Sequence, residues 1–132
     1  DARRLGLSAN ISIESSMAFA DLAATYRASD LVIHPALYEG QGLIPLEAMS
    51  SGRPILTVAR PPLTEMVDEE VGRLFEPGDS ADIAKVVCSL LEHPQSWGKL
   101  GQAGRRLICD RDEFTQAGAS NRMLSFYAGL SK

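Results

Sequence analysis

The chain is poor in the side chains that most often mark a metal centre, a disulfide framework or a nucleic-acid surface. Its 132 residues include two cysteines and two histidines, too few for a disulfide-rich secreted scaffold and little support for zinc. Acidic residues outnumber basic ones by 17 to 13, which argues against nucleic acid as a partner. No apolar run approaches the roughly 20 residues that cross a bilayer. We therefore expect a reducing cytoplasmic setting, with peripheral membrane contact left open.

The composition that remains is ordinary for a globular domain. Hydrophobic residues make up 45% of the chain and charged residues 23%. A chain of this length buries roughly two-thirds of its unfolded surface and needs no disulfide or metal to fold. It begins with Asp1 and not with Met, which we interpret as the start of a fragment of a longer functional unit. Cys88 and Cys109 fall in helical patterns, and we expect both to pack against neighbours.

Hydrophobic periodicity predicts short strands alternating with helices. Strands are predicted over residues 10–14, 31–33, 54–58 and 72–75. Helices are predicted to end near residue 7 and to span residues 17–28, 43–51, 64–67, 80–92, 95–109 and 114–130. This alternation predicts an α/β domain with a parallel sheet and helices on both faces. Four strands are few for such a sheet, which agrees with strands missing upstream.

A glycine-containing turn follows the strand over residues 31–33 and leads into a helix. Ligands of open α/β sheets bind beyond the carboxyl ends of the strands. Gly40 and Gly42 lack a Cβ, so a ligand can approach the backbone closely. The first amides of the helix, at Gly42 and Leu43, are unpaired and partly positive, which favours phosphate. The spacing matches neither the dinucleotide fingerprint nor the Walker motif.

Two carboxylates lie on either side of this turn. Glu39 precedes it and Glu47 lies in the helix, with seven residues between them. Both acids would repel phosphate, so they are expected to accept hydrogen bonds from ribose and sugar hydroxyls instead. Phosphate on the backbone and hydroxyls on the glutamates together indicate a nucleotide-sugar site.

The same residues resemble a known family. The run from Glu39 to Met49, followed by Ser51 to Pro54, resembles the Glu-x7-Glu motif of retaining GT-B glycosyltransferases, most closely glycosyltransferase family four. Residues 28–35, 65–67 and 71–79 resemble its flanking blocks, and the likeness covers about residues 5–130. The resemblance implies a Rossmann-like fold that forms the C-terminal half of a GT-B enzyme. Residues 1–132 would then be a partial nucleotide-sugar-binding domain, truncated on its N-terminal side.

The resemblance also implies an activity, the transfer of a hexose from a nucleotide diphosphate sugar with retention, without a metal or other cofactor. Glu39 would be catalytic and face the transferred sugar. Glu47 would bind the ribose hydroxyls, and the backbone at Gly42 and Leu43 would hold the distal phosphate. Gly40 and Gln41 complete the donor-binding turn.

Some positions differ from the family pattern. Gln41 stands where the family usually has Phe, and Pro61-Pro62 where it often has Gly-Gly. The family's basic pair and its acceptor-binding N-terminal domain have no counterpart in this sequence. His34, at a strand end, is interpreted as a structural or supporting residue. Two alternatives stay open: a non-catalytic nucleotide-sugar-binding module, and another GT-B enzyme such as a nucleotide-sugar epimerase.

Overall fold

The computed structural model describes residues 2–130, so Asp1 and residues 131–132 lie outside the description. Within residues 2–130 the order is α-helix, strand, α-helix, two strands and then three α-helices. The strands are β1 (Val32–His34), β2 (Ile55–Val58) and β3 (Gly72–Phe75). The helices are α1 (Phe19–Ala28), α2 (Leu43–Ser50), α3 (Ser80–Leu91), α4 (Trp97–Asp110) and α5 (Gln116–Leu130). Short 3-10 helices cover Leu63–Glu65, Pro94–Ser96 and Asp112–Phe114.

The three strands form a parallel sheet in the order β1-β2-β3. His34 pairs with Thr57 at the end of β1, and Val58 pairs with Phe75 at the end of β2. The central strand β2 is buried at all its positions, as expected for a strand with neighbours on both edges. The predicted parallel sheet is therefore confirmed.

Helices cover both faces of the sheet, which confirms the predicted architecture. Successive side chains of a strand point to opposite faces. Leu56 and Val58 join a buried cluster with Phe75, against which α3 packs through Ile83, Val86 and Val87. Ile55 belongs to a second buried cluster with Ala48 and Met49 of α2. The helix that carries Glu47 thus lies directly on the sheet.

Helix α4 packs closely against the carboxyl end of α2. A Cβ added at Gly101 would lie 2.1 Å from the carbonyl oxygen of Gly52, so only glycine fits there. A Cβ at Gly104 would lie 3.0 Å from Met49 Cγ. Because these two glycines lack side chains, the backbone of α4 lies directly against the carboxyl end of α2.

The N-terminal predictions are wrong. Residues 2–7 form a hydrogen-bonded turn, closed by Leu7 N–H donating to the Ala2 carbonyl, and not a helix. Residues 10–14 form no strand, and Ile13 is 85% exposed. A strand is stabilised by a neighbouring strand, and alternation alone does not supply one. Strand β1 is buried at His34 but open at Ile33, which is 40% exposed.

The expectation that the cysteines pack is wrong as well. Cys88 and Cys109 are both exposed thiols. The apolar pattern of α3 is wider than its buried face, and Leu90 is the one fully buried side chain among its residues. Along residues 2–130, no helix has both the length and the apolar character of a membrane span.

Candidate functional site

The candidate site lies at the carboxyl ends of the strands, where the loops that follow β1 and β2 meet. Arg60, two residues beyond β2, points its Nη1 at the Leu37 carbonyl oxygen, 3.5 Å away. The backbone N–H of Ala59 donates to the Phe75 carbonyl at 2.9 Å, which extends the contact between β2 and β3. The sheet therefore gathers these loops at one edge, where α/β domains bind their ligands.

Glu39 is tied to its own loop and to the end of β1. Its Oε1 accepts hydrogen bonds from the backbone N–H of Gly40 at 2.9 Å and of Gln41 at 3.2 Å. Its Oε2 lies 3.3 Å from His34 Nε2. The backbone amides of Gly42 and Gln41 hold the pKa of Glu39 below its ordinary value, with smaller contributions from Gly40 and the neighbouring imidazole. Glu39 is therefore an ionised carboxylate at neutral pH.

His34 connects Glu39 to the sheet. The imidazole is buried, with 5% of the residue exposed. Its Nδ1 lies 3.3 Å from the hydroxyl oxygen of Thr57, which is fully buried in β2. The Thr57 hydroxyl also lies 3.1 Å from the His34 carbonyl oxygen. These contacts fix the ring through the β1–β2 register.

The turn into α2 depends on Gly42 for its shape. Gly42 has a φ of 75°, in the left-handed region, and precedes the first helical residue, Leu43. A Cβ there would lie 3.0 Å from Leu63 Cδ2 and 3.1 Å from Met66 Cε. Gly40 differs, because no atom lies within 4 Å of its Cβ position. Packing within the protein therefore explains why residue 42 is glycine. It gives no such reason at residue 40, where the space beside the backbone is open.

Glu47 lies one turn into α2 and has a different partner. Its Oε2 accepts a hydrogen bond from the Tyr26 hydroxyl of α1 at 2.9 Å. Burial and this hydrogen bond raise the pKa of Tyr26 to about 12. Both side chains line a hollow of about 90 Å³ between α1 and α2, with Phe19 and Ala23. The hollow lies beside Glu47 and does not include the turn at residues 39–42.

The structure therefore brings Glu39, Gly40, Gln41 and Gly42 together in one loop, with Leu43 at its end, whereas Glu47 faces Tyr26. Sequence reasoning missed the partners of both acids. His34 carried a signal, because it ends a strand directly before the motif, but its pairing with Thr57 depends on strand register. Tyr26 carried none. Among the described side chains, those of residues 2–112 and 114–130, no three His, Cys, Asp or Glu form a group that could hold a metal ion.

Comparison with known proteins identifies relatives of this chain. The sequence profile of the family described as glycosyl transferases group 1 matches residues 1–107. The chain is 36% identical over 104 residues to the MMP alpha-(1->4)-mannosyltransferase of Mycolicibacterium hassiacum. That alignment covers 77% of this chain and 25% of the relative.

Solved structures show the same fold. Sucrose-phosphate synthase from Thermosynechococcus elongatus superposes with a TM-score of 0.86 at 26% identity, over 98% of this chain and 32% of that protein. HepE from Anabaena, solved in complex with UDP-glucose, gives 0.80 at 25% identity, over 92% of this chain and 34% of that protein. The chain spans between a quarter and about a third of the length of these three relatives. The predicted Rossmann-like fold is confirmed, and the chain belongs to the group 1 glycosyltransferase family.

Proposed function

We propose that this chain is the C-terminal, donor-binding domain of a retaining glycosyltransferase that transfers a hexose from a nucleotide diphosphate sugar. The observation that carries the proposal is the turn at residues 39–42, where an ionised carboxylate, an open glycine and the start of α2 share one sheet edge. Membership of the group 1 family and the likeness to a protein solved with UDP-glucose support it.

The diphosphate is proposed to bind at the start of α2. The amides of Gly42 and Leu43 are not satisfied within the helix, and the helix dipole adds partial positive charge there. The missing Cβ of Gly40 leaves room for the sugar or the diphosphate beside the backbone. Positive charge for the leaving group is otherwise supplied from outside residues 1–132.

In the proposed reaction, the bond from the anomeric carbon to the diphosphate oxygen breaks. The acceptor hydroxyl oxygen bonds to that carbon from the same face, and its proton passes to the departing diphosphate. Glu39 orients the sugar and stabilises the positive charge that develops on the ring. The Glu39 side chain is 21% exposed beside its protein contacts, so a sugar hydroxyl can reach the carboxylate.

Glu47 is proposed to bind the ribose. Tyr26 occupies Oε2 and leaves Oε1 for a ribose hydroxyl. The partly buried Tyr26 hydroxyl thereby sets the direction in which the carboxylate points. The acceptor-binding domain and the basic pair are proposed to lie elsewhere in the protein. Independence from metal and cytoplasmic localisation stay predictions.

The first test titrates UDP-glucose, GDP-mannose and ADP-glucose by calorimetry against the intact protein that contains this domain. We expect Glu47→Ala to lower the affinity for the nucleotide-sugar that binds by about 10- to 100-fold, since the substitution removes hydrogen bonds to a charged group. The exposed Glu92, at the end of α3, gives a matched control, and Glu92→Ala should leave binding unchanged. Unchanged binding in Glu47→Ala would remove Glu47 from the ribose role.

The same protein separates the two alternative functions. Release of nucleoside diphosphate with transfer of the sugar, abolished in Glu39→Ala, is the expected result. Binding without turnover in the presence of candidate acceptor sugars would favour the non-catalytic module. Conversion of the donor into an epimer without an acceptor would favour the epimerase.

A further inference from the structure

We propose that His34, held by Thr57, is a positioning residue that aims the Glu39 carboxylate at the donor sugar. This inference rests on the catalytic role proposed for Glu39. His34 Nε2 lies 3.3 Å from Glu39 Oε2, and its other ring nitrogen lies 3.3 Å from the Thr57 hydroxyl. Both His34 and Thr57 are buried in the sheet, whereas Glu39 lies in the loop.

The other contacts of Glu39 come from the backbone amides of residues 40–42, which belong to its own loop and to the turn into α2 and not to a strand. Gly40 and Gln41 are its immediate neighbours, so their amides move with the loop. The loop itself is open, since Tyr38, Gly40 and Gln41 are exposed. The contact with His34 is the one described hydrogen-bonding contact that ties this carboxylate to a strand. It therefore links the direction of the Glu39 carboxylate to the sheet.

Hydrogen-bond geometry assigns the proton on Nε2. The Thr57 hydroxyl has one proton and two acceptors within reach, the His34 carbonyl oxygen at 3.1 Å and Nδ1 at 3.3 Å. If the proton goes to Nδ1, the neutral ring carries its own proton on Nε2. If it goes to the carbonyl, Nδ1 donates to Thr57, and a bare Nε2 would face a carboxylate lone pair. That repulsion is relieved only when Nε2 is also protonated.

In both favourable arrangements Nε2–H donates to Glu39 Oε2. A donor at this position holds the carboxylate in its ionised form and in one orientation. A carboxylate that stabilises a developing positive charge loses much of its effect when it is misplaced by about 1 Å, which can cost on the order of 100-fold in rate. His34 thus acts on kcat through Glu39, without touching the substrate.

The test uses the intact protein and the tightest-binding of UDP-glucose, GDP-mannose and ADP-glucose, with release of nucleoside diphosphate as the assay. His34→Leu removes the N–H donor from a site that stays filled, and we expect kcat to fall about 10- to 100-fold with KM changed less than about threefold. His34→Gln can present an amide N–H toward Glu39 and should recover most of the loss. Thr57→Val should give a smaller fall in kcat. If His34→Leu does not fold, Thr57→Val and His34→Gln are measured in its place.

A double-variant cycle distinguishes positioning from a purely structural role. If His34 acts through Glu39, adding His34→Leu to Glu39→Gln should change kcat less than about twofold. The inference would be overturned if the kcat losses of the two single variants multiplied in the double variant. It would also be overturned if His34→Gln did not recover kcat. Loss of activity in Glu39→Gln with full kcat in His34→Leu would overturn it while leaving the proposed function in place. Full kcat in Glu39→Gln would instead overturn the catalytic role of Glu39.

Discussion

The two glutamates of the motif are held in different ways. Glu39 lies in a loop and takes two of its hydrogen bonds from the next two residues. Glu47 lies in a helix and takes its hydrogen bond from Tyr26, 21 residues earlier in the chain. The orientation of Glu47 therefore depends on the packing of α1 against α2, whereas that of Glu39 depends on the loop and on one contact with β1.

The contact between Tyr26 and Glu47 predicts a loss of stability at alkaline pH. Burial and the carboxylate raise the pKa of Tyr26 from 10.0 to about 12, so the folded state holds the phenolic proton more tightly than the unfolded state does. This contribution to stability is complete below pH 10 and is lost as the pH rises to about 12. The free energy of unfolding, measured with urea just below pH 10 and near pH 12, should show this decline.

Tyr26→Phe should remove this part of the pH dependence, because the titrating group is gone. Tyr38→Phe is the matched control, since it removes an exposed phenol that lies in the loop. We expect Tyr38→Phe to lose stability at alkaline pH to the same extent as the unaltered chain. An equal decline in Tyr26→Phe and in the unaltered chain would show that Tyr26 is not its source.

Single residues of the site divide into those that local sequence reveals and those that it does not. The spacing of Glu39 and Glu47, with the glycines between them, is a local pattern, and it located the turn before α2 correctly. Thr57 lies 23 residues from His34, and the two meet only because parallel strands pair in one register. Hydrophobic patterns predict that strands form but leave this register open.

At the scale of elements, the start of α2 predicts different outcomes for two neighbouring glycines. Gly42→Ala should lower the free energy of unfolding by about 1–3 kcal/mol, because the new side chain meets a positive φ and close contact with Leu63 and Met66. Gly40→Ala should change it by less than about 0.5 kcal/mol, since its Cβ position is open. Urea unfolding of the two variants measures the difference.

Donor binding by these variants adds a second measurement. In the intact protein, Gly40→Ala should lower the affinity for the nucleotide-sugar although the variant folds normally. The reason is that the new Cβ occupies the space proposed for the ligand. Equal destabilisation by both substitutions would contradict the geometry of the turn. Full donor affinity in Gly40→Ala would instead contradict the place proposed for the ligand.

Elements with strong local signals were predicted well. Strand β3 has the predicted bounds at Gly72 and Phe75, and α2 ends one residue earlier than expected. Asp79 caps α3, since its side chain accepts hydrogen bonds from the N–H groups of Ala81 and Asp82. The strand predicted over residues 10–14 is wrong because alternation describes one strand and not its neighbour. No partner strand lies beside this segment within residues 2–130.

At the scale of the whole molecule, the proposal assigns to this chain one half of the donor site and places the acceptor site elsewhere in the protein. The chain's matches to the mannosyltransferase, sucrose-phosphate synthase and HepE cover 25% to 34% of those proteins' lengths. We therefore expect residues 1–132 alone to release no measurable nucleoside diphosphate from UDP-glucose, GDP-mannose or ADP-glucose, whereas the intact protein turns over. Robust turnover by the isolated chain would contradict this prediction and require an acceptor site within it.

Helix α2 is restrained at both ends. Gly42 leaves no room for a side chain beside Leu63 and Met66, and the Gly52 carbonyl lies against the backbone at Gly101. These contacts hold α2 against its neighbours at both ends. If the intact protein closes around its proposed donor, we expect α2, the sheet and α4 to move together as one rigid body. The hinge then lies outside these elements, and a label on α2 and one on α4 should keep a constant separation through the catalytic cycle.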